Sequence, residues 1–249
     1  MSGFITAMRT LTVFPVPGRE ARKFSDSLFW FPAVGLVLGV LQASAAYLLS
    51  FSGWPELAAA AGVLAGTVFT RGMHADGLAD VADGFWGGKT KADALRIMKD
   101  SSVGAFGVTA LAGVLLLKWI AVMQLVKSGS FACIASGVLL ARWAQVLLAS
   151  ALPYARIEGG TAHDFVDGAG WPHAAGSSLL VLLLMLVFMR ENLLMAATMS
   201  GAAVAAVIVT GVKSFRKIGG VTGDVLGAGN ELCELVVWIS AAFSLSGVS

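Results

Sequence analysis

From residue 105 to 126 the chain reads AFGVTALAGVLLLKWIAVMQLV, a run broken by a single charge. Crossing about 30 Å of hydrocarbon at about 1.5 Å per residue takes roughly 20 apolar residues in a helix. Six other windows, 28–51, 55–71, 131–152, 174–189, 192–212 and 230–247, meet or approach that requirement. At 57% hydrophobic and 13% charged residues, the 249-residue chain is too apolar for a soluble domain. The expected fold is all-α: one domain, residues 1–249, built as a polytopic membrane helix bundle. It has about seven transmembrane helices, with further helices in cytoplasmic loops or at the interface. Window 55–71 is the least hydrophobic, but its Ala and Gly residues let helices approach closely in lipid.

Seven spans divide the loops into two sets. Thirteen of the seventeen Lys and Arg residues fall in one set, whereas the other holds only Lys127 and Arg190. Short loops rich in Lys and Arg stay in the cytoplasm, so the N-terminus is expected inside and the C-terminus outside. Lys118 and Arg142 sit inside apolar spans and need a polar partner, a wet cavity or an end to snorkel to. Residues 1–27 begin amphipathic, as a surface helix would, and show no removable signal peptide. A net charge of +2 from scattered basic residues gives no reason to expect a nucleic-acid partner.

All nine aspartates fall on the expected cytoplasmic side, in loops 71–104, 153–173 and 213–229 or before the first span. Within HADGLADVADG, Asp76, Asp80 and Asp83 are spaced i, i+4, i+7. That places them on one helical stripe about 60° wide. Three like charges repel, and a hard divalent cation would relieve them. Gly72, Gly77 and Gly84 would let a bulky ligand approach the backbone. In RIMKDSSVGAFG, Lys99 and Ser101 are candidates to bind phosphate at a helix start, and Asp100 is a candidate fourth metal ligand; a helix cap explains Asp100 and Ser101 as well. In GGVTGDVLGAGNELCE, glycines surround Thr222 and Asp224 ahead of Glu231 and Glu234, which should face the bundle interior. Arg142 and Arg156 are candidates to clamp an anion, and pairing with Glu231 or Glu234 would account for Arg142 equally well.

These motifs resemble those of the cobalamin-5′-phosphate synthase family, the adenosylcobinamide-GDP ribazoletransferases. The matching stretches are FPAVGLVLG at 31–39, RGMHADGLADVADGFWGG at 71–88, IMKDSSVGAFG at 97–107, ALPYAR at 151–156 and GGVTGDVLGA at 219–228. The resemblance implies an enzyme of a prokaryotic inner membrane that joins adenosylcobinamide-GDP to α-ribazole or its 5′-phosphate. GMP is released, and Mg²⁺ is required. Its partners would be those substrates and membrane lipid, with self-association or association with other corrinoid-pathway enzymes left open. Asp76, Asp80, Asp83 and Asp100 are then expected as metal ligands. Asp83 or His74 would accept the hydroxyl proton, while Arg71, Lys99, Ser101, Arg142, Arg156, Thr222, Asp224 and Glu231 would face substrate. The acidic run is similar in logic to that of CDP-alcohol phosphotransferases but lacks their Asp-Gly-Ala-Arg arrangement. A membrane transporter is the competing class, and it predicts internal repeats and polar groups near midplane.

Overall fold

The computed structural model describes residues 1–160 and 162–246, so the last residue of the expected seventh window lies outside the described residues. The helices are α1 (Ser2–Leu11), α2 (Phe31–Ser50), α3 (Pro55–Phe69), α4 (Met73–Gly87), α5 (Lys91–Ile97), α6 (Ala105–Lys127), α7 (Phe131–Ala151), α8 (His163–Asp167), α9 (Trp171–Phe188), α10 (Leu193–Ile218) and α11 (Gly223–Ser246), with a 3₁₀ segment, Phe24–Trp30, leading into α2. Among the described residues there is no strand, only an isolated parallel bridge between Tyr154 and Val221. Six helical stretches are long and apolar enough to cross a membrane, and α3 is a shorter apolar helix. The chain is a multi-pass membrane protein with the expected all-α architecture.

At 15 residues, α3 is about 22 Å long, short of the hydrocarbon thickness. It ends where Arg71 takes a left-handed φ of 54° and Gly72 one of 69°, and the Gly72 N–H reaches back to the Thr67 carbonyl at 2.8 Å. This is a helix-terminating turn, and it redirects the chain into α4. Arg71, expected to contact phosphate, is the residue that forms this turn.

The expected loop 213–229 shrinks to residues 219–222. α10 continues to Ile218, where Gly219 closes it at φ 79°, and α11 starts at Gly223. Glycine-rich sequence reads as loop, but here the glycines sit between packed helices.

Lys118 and Arg142 find their partners inside the bundle. Lys118 Nζ lies 2.6 Å from Glu231 Oε2 and 2.7 Å from Glu234 Oε2. Arg142 Nη1 lies 3.3 Å from Glu234 Oε1 and also donates to Asn230 Oδ1. The Lys118 ammonium stands 5.4 Å from the Trp238 ring centroid. Two cations and two carboxylates thus tie α6, α7 and α11 together. Arg142 is 1% exposed, and Glu231 is committed to Lys118, so neither faces substrate as expected.

Removing one member of a buried charge pair strands the other, at a cost of about 3–5 kcal/mol, whereas an apolar replacement of the pair is often neutral. Thermal unfolding in detergent should therefore show Glu234→Ala strongly destabilised. Lys118→Met and Arg142→Met combined with Glu231→Leu and Glu234→Leu, which removes the whole network and strands no charge, should recover more than half of that loss. Glu231→Gln should be mild, because Lys118 keeps Glu234.

Candidate functional site

α4 carries the acidic run and packs against α11 on one side and α6 on another. A β-carbon at Gly77 would stand 2.8 Å from the Asp224 carbonyl oxygen, and one at Gly84 would stand 2.9 Å from the Ala94 carbonyl oxygen. These glycines make room for α11 and α5 rather than for a ligand. The close approach at Gly77 sets Asp224 beside the acidic stripe.

The three aspartates of the stripe separate by burial: Asp76 is exposed, Asp80 half-buried and Asp83 buried. Asp83 Oδ2 accepts the Gly104 N–H at 2.7 Å, and its Oδ1 accepts the Gly107 N–H at 2.9 Å. It therefore caps the N-terminus of α6, where N–H groups otherwise lack partners. This engagement differs from the expected roles of base and metal ligand. His74 is 2% exposed and buried where α4 meets Gly227 of α11, away from any surface where a substrate hydroxyl could reach it.

Asp80 sits among like charges. Its carboxyl is pushed up from the usual 3.8 to about 7, first by burial, then by Asp76 and Asp224, with Asp83 adding and Arg156 opposing. Arg156 Nη2 donates to Asp224 Oδ2 at 2.7 Å and to the Met98 carbonyl at 3.4 Å. Backbone pairing places this arginine: the Ala155 N–H donates to the Val221 carbonyl and the Val221 N–H to the Pro153 carbonyl, each at 2.8 Å. Thr222 is wholly buried; its Oγ1 accepts the Val225 N–H at 3.3 Å and donates to Asp224 Oδ2 at 3.2 Å. It caps α11 and orients Asp224 instead of meeting substrate.

Asp100 stands apart from this group. Its Oδ1 accepts the Ser102 N–H at 2.9 Å, which holds its carboxyl below the usual range, with Arg96 adding a smaller pull in the same direction. The turn at Ser102 accounts for its orientation. Ser101 is exposed in the same turn. Lys99 is exposed and pairs with Glu158 at 3.4 Å. With Lys91, Arg96 and Arg156 it lines an open cleft of about 870 Å³ between α5 and residues 155–160. Lys91, Arg96 and Glu158 were not singled out from the sequence. The spacing Lys91–Arg96–Lys99 along RIMKD and the segment before it was the available signal.

The structure thus groups Asp76, Asp80 and Asp224 next to Arg156 and a basic cleft. The three carboxylates are hard oxygen donors, the donor type that Mg²⁺ prefers, and the Asp80 carboxyl, raised first by burial and then by its acidic neighbours, would be returned to its charged form by a bound cation. Among the described residues no three His, Cys, Asp or Glu side chains form a ready-made ligand shell.

Residues 3–242 match the protein-family model described as cobalamin-5-phosphate synthase. A protein of Pelodictyon phaeoclathratiforme named adenosylcobinamide-GDP ribazoletransferase is 63% identical over 98% of both chains. One of the same name from Chlorobium chlorochromatii is 59% identical over 99% of this chain and 98% of its own. A third, from Syntrophobacter fumaroxidans, is 36% identical over 97% of this chain and 98% of its own. No solved structure matches.

The position of the Asp80 carboxyl gives a pH dependence. With its folded value near 7 and its usual value at 3.8, the native protein retains a proton that the unfolded chain has released between those limits, so stability falls as pH rises through that window. In chelator, the unfolding temperature should decline from about pH 5 to pH 8, and Asp80→Asn should flatten the decline. Mg²⁺ should raise it at pH 8 and have little effect at pH 5. A profile that is the same for Asp80→Asn and wild type would contradict the assignment.

Proposed function

This chain belongs to the cobalamin-5-phosphate synthase family, and we propose that it joins adenosylcobinamide-GDP to α-ribazole or α-ribazole 5′-phosphate, releasing GMP and forming cobalamin or its 5′-phosphate. The observation that carries the site assignment is the grouping of Asp76, Asp80 and Asp224 around Arg156, which also lines a cleft with Lys91, Arg96 and Lys99. A diphosphate needs cations around its oxygens and a metal at the phosphorus under attack, and this corner of the molecule supplies both kinds of group.

Asp80 and Asp224, each half-buried and near enough for the Asp224 charge to raise the Asp80 carboxyl, would hold Mg²⁺. Bound there, the ion would supply Lewis-acid polarisation of the phosphoryl group and neutralise charge on the departing phosphate oxygen. Arg156 holds Asp224 in place and offers its remaining N–H groups to the diphosphate. The basic residues of the cleft orient the GMP portion in line with the incoming hydroxyl. Asp76 is the exposed member of the group. With Asp83 and His74 enclosed by helix contacts, it is the carboxylate best placed to take the proton from the attacking ribose hydroxyl.

The surrounding topology follows the basic-residue asymmetry. With the short α3 crossing a locally thinned bilayer as the seventh span, the N-terminus and this site face the cytoplasm, the C-terminus lies outside, and the membrane is the prokaryotic inner membrane. Lys118 and Arg142, polar groups inside apolar spans of the kind a transporter would use, are instead spent on Glu231, Glu234 and Asn230, which weighs against the transporter reading.

The test is reconstitution in liposomes with adenosylcobinamide-GDP, α-ribazole and Mg²⁺, following GMP release. Asp80→Ala and Asp224→Ala should each lower kcat by about 10²–10³-fold, the scale for losing one electrostatic stabiliser. They should also weaken Mg²⁺ protection against thermal unfolding. Asp83→Asn should lower the unfolding temperature through the α6 cap while Mg²⁺ protection persists. Full activity in Asp224→Ala would remove this residue from the site.

A further inference from the structure

Behind the acidic helix lies a second cavity, of about 670 Å³, within the roughly 300–1,000 Å³ usual for small-molecule sites. Its floor is Leu78, Val81 and Ala82 of α4 with Ala228 and Leu232 of α11. At 100° per residue that α4 face points away from Asp76 and Asp80. The cavity opens sideways between α6 and α10, two of the stretches apolar enough to span a membrane. Its lips Leu117 and Val209 are 45% and 53% exposed.

One end of this apolar groove is basic. Lys213, Arg216 and Lys217 line it, spaced i, i+3, i+4 on the last turns of α10. Lys217 donates to the Gly88 carbonyl at 2.7 Å; among the described residues Lys213 and Arg216 have no partner. α10 has 26 residues and is about 39 Å long, so its final turns rise past about 30 Å of hydrocarbon to headgroup depth. Trp86, 67% exposed, lines the same end of the groove, the level that tryptophan favours. Complementing the negative end of the α10 dipole accounts for basic residues there, but not for an open apolar channel running down from them.

We propose that this groove binds one anionic phospholipid, its acyl chain against α4, α6, α10 and α11 and its phosphate on Lys213 and Arg216. The lipid would fill the gap between α6 and α10 and brace the rear face of the helix whose front carries the aspartates. A phosphorylated aromatic nucleoside shares the apolar-plus-phosphate chemistry. Seated here, however, its ribose would be on the wrong side of α4 from the carboxylates, and the groove opens to the bilayer rather than to water. The inference is independent of the reaction assigned above.

The test uses the full-length protein, delipidated in detergent, with phosphatidylglycerol, phosphatidylcholine or α-ribazole 5′-phosphate added back. Bound lipid is counted by native mass spectrometry, and thermal protection is measured in parallel. Phosphatidylglycerol should bind in about one copy and protect at lower concentration than phosphatidylcholine. About fivefold of that preference should come from each cation, about thirtyfold from the two together, and Lys213→Gln with Arg216→Gln should abolish it. A β-carbon at Gly113 meets nothing within 4 Å, so Gly113→Phe should fold and should displace the lipid of either headgroup. Equal binding of the two lipids by wild type, or unchanged phosphatidylglycerol binding in Gly113→Phe, would overturn the proposal. Protection by α-ribazole 5′-phosphate that Gly113→Phe removes would instead make the groove a substrate site.

Discussion

Lys118, Arg142, Glu231 and Glu234 meet in the middle of an apolar bundle, and this ion network sets the frame on which the other helices rest. An ionised side chain in hydrocarbon costs several kcal/mol unless it is paired and hydrogen-bonded. These four groups therefore admit few arrangements of α6, α7 and α11. Lys118 bridges both carboxylates, and Arg142 closes the set from α7. Packing in lipid has little hydrophobic drive of its own and is weakly specific along a helix. A charge cluster with one good solution supplies the register that apolar surfaces leave undetermined.

α4 takes its place against that frame. Its N-terminal half lies along the first turns of α11, close enough at Gly77 that only glycine fits beside Asp224, and its C-terminal half presents Asp83 to the start of α6. One helix thereby docks through its backbone on one side and through a capping carboxylate on another. Asp76 and Asp80 are left facing Asp224 and Arg156. The site is then a consequence of docking: the carboxylates crowd because the helices that bear them are held together by contacts elsewhere, and burial first, then that crowding, raises the Asp80 carboxyl.

The spans were legible because hydrocarbon thickness writes itself into sequence as length. Helix ends near the water were less so. Lys213–Ile218 and Gly223–Gly229 read as polar or glycine-rich loop, but a helix need not stop at the membrane surface, and glycine there serves close packing. Helical spacing put Asp76, Asp80 and Asp83 on one stripe, yet the 60° between Asp80 and Asp83 is enough to turn Asp83 onto a neighbouring helix. Asp224 is 144 residues after Asp80, and no local pattern announces that they meet. The choice between clamp and ion pair for Arg142 likewise depended on which side of α7 it faces, which a helix apolar almost all round does not reveal.

The account stands on Asp80 and Asp224 sharing one divalent cation across the α4–α11 contact. Pulsed electron paramagnetic resonance of Mn²⁺ in the purified protein, with aspartate carboxylates ¹³C-labelled and each position replaced in turn by Asn, reads this directly. The expected result is one tightly bound Mn²⁺ with carboxylate couplings that fall when either Asp80 or Asp224 is replaced and persist in Asp83→Asn and Asp100→Asn. Couplings that survive both Asp80→Asn and Asp224→Asn, or that vanish only with Asp100→Asn, would contradict it.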